Sequence, residues 1–385
     1  MMRDTFGIYI HIPFCLKKCD YCDFCSRTDK SADEMLAYTK ALCLEMRSFT
    51  ERMKGRVADT LFVGGGTPTL LPRDAWQMLA DCIFECFAVA PDAEWTVEAN
   101  PATLDAEKAT FLRRLGVNRL SIGMQSAHDS ELSQLGRIHR AKDLYEAVEA
   151  ARKGGFENIN LDLMFGIPEQ SEESFSATLD TALALSPSHL SVYSLQVEEG
   201  TPFYQKRDTL PLPDEDCEDR MHAVLLAKMK EAGFVHYEIS NFALQGKECR
   251  HNLRYWKRSD YLGFGISAHA CLDGVRSYNT DDFDAYLQGP CGVRECESVL
   301  TPEEAEYEAI MLGLRLGEGI AEEEFSSAFG HGFYARYEKA LAPFIRANLA
   351  VWDGKSTRLT KDGMRLSNAV LTELFNSEAA AHLFP

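Results

Sequence analysis

The chain has 385 residues, 45% hydrophobic and 26% charged, which describes a globular protein long enough for one domain of about 200 to 250 residues plus a smaller module. Lys and Arg number 40 against 59 Asp and Glu, and a net charge of -19 would repel a polyphosphate backbone, so no nucleic-acid partner is expected. No apolar run approaches the roughly 20 residues of a membrane helix, and the start of the chain lacks a charged head, a long apolar stretch and a small-residue cleavage site, so a cytoplasmic protein is expected.

The first half alternates short β-rich runs with helix-length amphipathic stretches. Strands are expected at residues 7–12, 59–63, 94–98, 119–123, 158–164 and 189–193, with helical patterns such as 32–50, 74–87, 141–153 and 171–185 between them. Repeated βα units imply an α/β fold with a parallel sheet, and six of them a partial (β/α)6 barrel of the TIM type. In such barrels the chemistry gathers where the strands end and the loops converge. A helix at 216–231 follows, then a Gly- and aromatic-rich stretch with weak periodicity. We divide the chain into a core of residues 1–235, an irregular connecting region of 236–298 and a small α+β module of 299–385. That module has a helix start at Thr301-Pro302-Glu303-Glu304 and a hairpin near 349–359. It holds no catalytic constellation, and it is expected to cover the open side of the barrel or meet a partner. Glu303, Glu304 and Glu322 to Glu324 read as solvated helix surface.

Directly after the first strand, Cys15, Cys19 and Cys22 place three thiols within eight residues, a spacing that suits a loop wrapped around one metal centre. Without an export signal, clustered reduced thiols more often hold metal than pair as disulfides. Structural zinc would need a fourth ligand, which Cys25 or His11 could supply. Three thiolates on a cubane cluster instead leave one iron open to the amino and carboxylate groups of an amino acid. A reduced cluster can then pass one electron to a bound sulfonium and release a carbon radical.

This spacing, with the aromatic Tyr21 before the last cysteine, resembles the radical S-adenosylmethionine superfamily. The flanks Tyr9-Ile10-His11-Ile12-Pro13-Phe14-Cys15 and Cys22-Asp23-Phe24 resemble the oxygen-independent coproporphyrinogen III oxidases (HemN) and the related HemW-like heme chaperones, over nearly the whole chain. The resemblance implies a 4Fe–4S cluster on Cys15, Cys19 and Cys22, with Cys25 outside the ligand set. Gly65, Gly66 and Thr67 match positions that contact the methionyl part of S-adenosylmethionine. Tyr9, Glu98, Gln125, Arg137 and Asp162 fall where the oxidases contact nucleoside cofactors, and Tyr21 is placed with the same ligand. Carboxylates and amides suit ribose hydroxyls and an ammonium, and Arg137 suits a carboxylate. Taken alone, the glycine triplet also reads as a tight turn, and polar residues at strand ends as caps of the next helix.

Two features separate the relatives. Only ten residues precede His11, so the N-terminal extension that covers porphyrinogen in the oxidases is expected to be missing. His251-Asn252-Leu253-Arg254-Tyr255-Trp256 matches the His-Asn-x-x-Tyr-Trp motif of the chaperones. An imidazole can ligate heme iron, aromatic rings can pack on the macrocycle and cations can pair with propionates. His251, Tyr255 and Trp256, with Arg250, Arg254 and Lys257, are therefore the expected heme site, with Cys249 and His269 as competing ligands. The bland alternative is that Tyr255 and Trp256 anchor a loop in the core. The expected function is a heme chaperone that hands heme to target proteins such as respiratory hemoproteins. An electron donor such as flavodoxin or ferredoxin is compatible with it, and membranes are met only through a partner. The enzymatic alternative is oxidative decarboxylation of coproporphyrinogen III; a third class, a zinc or cluster-stabilised scaffold, would bind neither S-adenosylmethionine nor heme.

Overall fold

The computed structural model describes residues 5–383. Six strands, β1 (Thr5–Ile12), β2 (Val57–Gly65), β3 (Ala88–Ala99), β4 (Arg119–Gln125), β5 (Asn158–Phe165) and β6 (His189–Ser194), pair in parallel in chain order. Their side chains alternate, and register aligns the alternation from strand to strand. Ile8, Leu61, Trp95, Leu120, Leu161 and Leu190 lie on one face and are buried. That face is covered by helices Ala32–Phe49, Arg73–Cys86, Ala106–Leu115, Ala141–Lys153, Glu172–Ala184 and Glu215–Glu231. Ser31 with Glu34, and Ser171 with Ser174, form reciprocal caps that start two of these helices where the chain leaves a loop.

The opposite face carries Tyr9, Thr60, Thr96, Glu98, Arg119, Ser121, Asn160, Asp162, His189 and Ser191 in neighbouring register rows. A closed eight-stranded barrel fills its interior with branched apolar residues. Here the concave face is polar, and the sheet does not close on itself among the described residues.

The stretch 236–298, expected to be irregular, instead contains a series of short strands and two short helices, Arg250–Trp256 and Phe283–Gln288. Beyond β6 the sheet continues through β7 (Val235–Glu238) and β8 (Asn241–Ala243). Beyond β1 it continues through β9 (Tyr261–Phe264), β10 (His269–Leu272), β11 (Val275–Asn279) and β12 (Arg294–Val299), which gives twelve strands in the order β12-β11-β10-β9-β1-β2-β3-β4-β5-β6-β8-β7. These added strands span only three to six residues, too short for a period-2 pattern to stand out against their Gly and aromatic neighbours.

Residues after Thr301 build their own apolar core from Ile310, Leu314, Phe325, Phe333, Tyr337, Leu341 and Leu374. Strands β13 (Ile320–Ala321), β14 (Ala350–Trp352) and β15 (Ser356–Leu359) form a small antiparallel sheet in the order β13-β15-β14. This unit touches both flanks of the open sheet. Leu316 bridges to Glu238 of β7. On the other flank, Glu308 pairs with Arg276 of β11 at 2.6 Å and with Arg258 at 3.2 Å.

Candidate functional site

β1 runs straight into the cysteine loop, and backbone hydrogen bonds close that loop at its base. The Cys15 amide donates to the Arg27 carbonyl at 2.9 Å, and the Arg27 amide donates to that of Pro13 at 2.5 Å. Midway, the Asp20 amide donates to the Leu135 carbonyl (3.1 Å) and the Phe203 amide to that of Asp20 (3.0 Å), which fixes the loop against the β4 and β6 connections. Cys15 Sγ lies 3.7 Å from Thr67 Oγ1, and Cys19 Sγ lies 3.7 Å from Arg137 Nη1. Burial raises the Cys15 and Cys22 thiols, Cys22 to about 11, and neighbouring thiols push the same way. A bound cation reverses that balance by holding the thiolates. Among the described residues the three sulfurs are not gathered as tightly as ligands of one ion; around a tetrahedral zinc they would stand roughly 3.8 Å apart. Zinc would need a fourth donor, whereas three thiolates suffice for a cubane cluster that keeps one iron open.

His11 decides where the second half of the loop lies. Its Nε2–H donates to the Cys25 carbonyl at 2.8 Å, an acceptor only, so Nδ1 takes the hydrogen bond from the Tyr9 hydroxyl at 2.9 Å. Both ring nitrogens are thereby used, and burial holds the imidazole neutral. Cys25 is held by its backbone, and its sulfur sits 4.0 Å from the Asp281 carbonyl.

The glycine turn after β2 packs beneath this histidine. Gly65 has φ +107°, and a Cβ there would lie 2.5 Å from His11 Cε1; one on Gly66 would lie 2.7 Å from the Phe14 carbonyl oxygen. The triplet was expected to let a ligand approach the backbone, whereas the contacts that exclude a side chain come from the protein itself. Across the turn, the Gly65 amide donates to Glu98 Oε2 at 3.0 Å. Burial, then repulsion from Asp162, pushes the Glu98 carboxyl up to about 8.

At the end of β4 the register shifts between Gly123 and Gln125, and Gln125 takes φ +61°, a left-handed conformation that is costly for a residue with a side chain. Arg137 Nη2 donates to the Gly123 carbonyl at 2.7 Å, and its guanidinium also meets Tyr21. Its Nε is buried without a partner, an orphaned donor beside Cys19 that suits an anionic ligand group. Asp162 lies deeper: Ser121 Oγ donates to its two oxygens at 3.0 and 3.2 Å and Asn160 Nδ2 to one at 2.7 Å, which leaves it less acceptor capacity for a ligand. From there a network continues through Asn160, His189 and Tyr237. Arg119, 2% exposed, lies among Glu94, Asp162, Cys249 and Tyr237 and supplies the buried positive charge. Sequence reasoning missed this lower layer, although the polar member of every second strand residue was its signal.

The His-Asn-x-x-Tyr-Trp segment forms helix Arg250–Trp256, whose first amides, of Arg250 and His251, donate to the Glu94 carboxylate at 3.0 Å each. Here the sequence expectation needs correction. His251 was expected to present a heme ligand, but it is 0% exposed and stacks on Phe62, with its Nδ1 2.9 Å from Thr60 Oγ1 and its Nε2 2.8 Å from the Tyr255 hydroxyl. Burial pushes its pKa down to about 3. Arg254, expected at a propionate, is buried in an ion pair with Asp59. Cys249 is buried against Glu94 and its thiol is pushed up to about 12. Tyr255 and Trp256 remain half-exposed. Tyr255 forms the rim of a cleft of about 600 Å³ together with Tyr9, His11, Cys25, Tyr261 and the exposed His269. This cleft shares a wall with the cysteine loop.

An open parallel sheet that carries a three-cysteine loop at the end of β1 defines the radical S-adenosylmethionine class. Residues 9–182 match the Radical SAM superfamily, and residues 300–366 match the HemN C-terminal domain. The solved coproporphyrinogen III oxidase HemN of Escherichia coli, described as a radical SAM enzyme, superimposes with a TM-score of 0.86 over 97% of this chain and 90% of its own, at 24% identity. The heme chaperone HemW of Bacillus subtilis is 38% identical over 94% of this chain and 97% of its own length. HemW of Lactococcus lactis is 34% identical over 96% and 97%, and HemW of Escherichia coli 38% over 84% and 86%. The chain belongs to the HemW family.

Proposed function

We propose that this protein binds heme and delivers it to target hemoproteins, while Cys15, Cys19 and Cys22 hold a 4Fe–4S cluster and S-adenosylmethionine binds beside it. The observation that carries the reading is the cysteine loop itself, with Cys19 against Arg137, whose Nε is orphaned, and with Asp23 to Cys25 walling the aromatic cleft. When bound, the reduced cluster supplies one electron to a sulfonium ligand. Arg137 and Gln125 orient its carboxylate and amide-seeking groups, Glu98 accepts from an ammonium or hydroxyl, and Gly65, Gly66, Thr67, Tyr9 and Tyr21 shape the floor. Asp162 organises the layer beneath.

Heme is placed at the rim, packed on Tyr255 and Trp256. His269 stands open to it, whereas His251 becomes a donor only after its bonds to Thr60 and Tyr255 break. No described helix is long and apolar enough to cross a membrane, which accords with a cytoplasmic carrier that reaches membranes through its targets. Flavodoxin or ferredoxin is the class of reductant that would serve the cluster.

Anaerobic reconstitution followed by heme titration tests the proposal. It expects an iron–sulfur EPR signal that disappears when the three cysteines are changed to serine, and a stoichiometric Soret change. Formation of protoporphyrinogen from coproporphyrinogen III without stoichiometric heme binding would replace the chaperone reading by the oxidase.

A further inference from the structure

Far from the cysteine loop, three side chains from separate parts of the C-terminal unit converge. Glu306 belongs to helix Pro302–Gly313, His331 precedes helix Phe333–Arg346, and His382 lies in the 3₁₀ turn Glu378–Leu383. Both imidazoles meet the same carboxylate oxygen: His331 Nε2 is 3.3 Å and His382 Nε2 3.1 Å from Glu306 Oε2. The three donor atoms all lie within 4.8 Å of one another, the one such set among the described residues.

The supporting contacts restrict which atoms carry protons. His382 Nδ1 is 3.1 Å from the Ala379 carbonyl, which only accepts, so Nδ1 carries a proton and the ring directs Nε2 at the Glu306 carboxylate. A ring that carries only that proton offers its Nε2 lone pair on the same side as Glu306 Oε2, so that one bound cation could be held by both. Glu306 is 5% exposed, and its other oxygen, Oε1, accepts from the Tyr337 hydroxyl at 3.0 Å, which aims Oε2 at the histidines. An imidazole with Nδ1–H on a backbone carbonyl and a carboxylate held by a hydroxyl are the usual supports of metal ligands. Nitrogen and oxygen donors about 2.0 to 2.2 Å from a tetrahedral zinc stand roughly 3.3 Å apart, close to the observed spacing.

We propose that Glu306, His331 and His382 bind a divalent transition-metal ion, zinc(II) by the chemistry of two imidazoles and one carboxylate. Three protein ligands leave a fourth position for water or a small anion. The ion ties the turn Glu378–Leu383 to two helices distant in sequence, and Ala380 and Leu383, which that turn contributes to the core, are held with it. This site is independent of the cluster and heme: its ligands contain no sulfur and it lies in the other apolar core.

The test uses the full chain with its cluster in place. Zinc(II) is titrated against a chromophoric chelator, and cobalt(II) is used as a spectroscopic probe. The expected result is one equivalent bound per chain, cobalt d–d bands without sulfur charge transfer, and affinity at least about tenfold weaker in His331→Ala and in His382→Ala. A higher melting temperature with zinc in wild type, absent in His382→Ala, is expected alongside. Saturable binding that is missing in wild type, unchanged in both histidine variants, or accompanied by thiolate charge transfer overturns the proposal. Because buried Glu306→Gln risks misfolding, His382→Ala carries the decision, with its far-UV CD spectrum matched to that of zinc-free wild type.

Discussion

Replacing Gly65 by alanine tests the packing that fixes the cysteine loop. Two costs add at this position. The φ of +107° is unfavourable for an L-residue by about 1 to 2 kcal/mol. The new Cβ would lie 2.5 to 2.6 Å from His11 Cε1 and Nδ1, closer than contact allows, and overpacking of this kind costs about 1 to 3 kcal/mol. The ring cannot step aside freely, because its two nitrogens bond Tyr9 and the Cys25 carbonyl. The sum is about 2 to 5 kcal/mol, a large part of a stability that is typically about 5 to 15 kcal/mol. If the backbone yields instead, the strain passes to the loop and the cluster is lost. Denaturant unfolding and iron content after anaerobic reconstitution read both outcomes. The double variant His11→Ala, Gly65→Ala separates the two terms, since it removes the clash but keeps the φ penalty, and should therefore be less destabilised than the sum of the singles. Gly65→Ala within about 0.5 kcal/mol of wild type with its cluster intact, or strict additivity in the double variant, would refute the reasoning.

Three further outcomes are expected. His251→Ala removes a fully buried ring with two hydrogen bonds and should cost about 2 to 4 kcal/mol in urea unfolding; His269→Ala should lower heme affinity with little change in stability, and the reverse pattern would move the heme ligand to His251. Glu98 holds a carboxyl raised from 4.5 to about 8, so the folded chain keeps a proton there that the unfolded chain has lost. Its stabilising contribution is complete below the unfolded value and disappears as pH rises through about 8, with a slope of at most about 1.4 kcal/mol per pH unit. Glu98→Gln should flatten that slope in cluster-free protein, and an unchanged slope would assign it elsewhere. Arg119→Met removes the buried cation that lies among Glu94, Asp162, Cys249 and Tyr237 and should lower the melting temperature; an unchanged melting temperature would show that the cation contributes no net stability.

Local order was legible wherever short-range signals agree. The helix read at 141–153 is Ala141–Lys153, and the strand read at 158–164 is Asn158–Phe165, because apolar period and capping residues lie within one element. The three-cysteine spacing was equally local, since all three thiols belong to one loop between β1 and the first helix. Alternation along each strand announced two unlike faces, one apolar and one polar.

Which partners those faces meet depends on contacts between residues far apart in the chain. Nothing near His251 indicates that Glu94 would receive its helix, or that Thr60 and Tyr255 would occupy both ring nitrogens. An exposed and a buried histidine look alike in sequence; the stacking of Phe62 against one of them separates them. Strands as short as β8 exist because β6 and β7 offer hydrogen-bonding edges on either side, not because three residues prefer to be extended. Glu306, His331 and His382 likewise spread across 76 residues and share no motif. Sequence alone determined the repeating units and the thiol loop, since their information is carried by neighbours in the chain; tertiary packing decided which imidazoles are open, closed or paired, since that follows from what distant segments place against them.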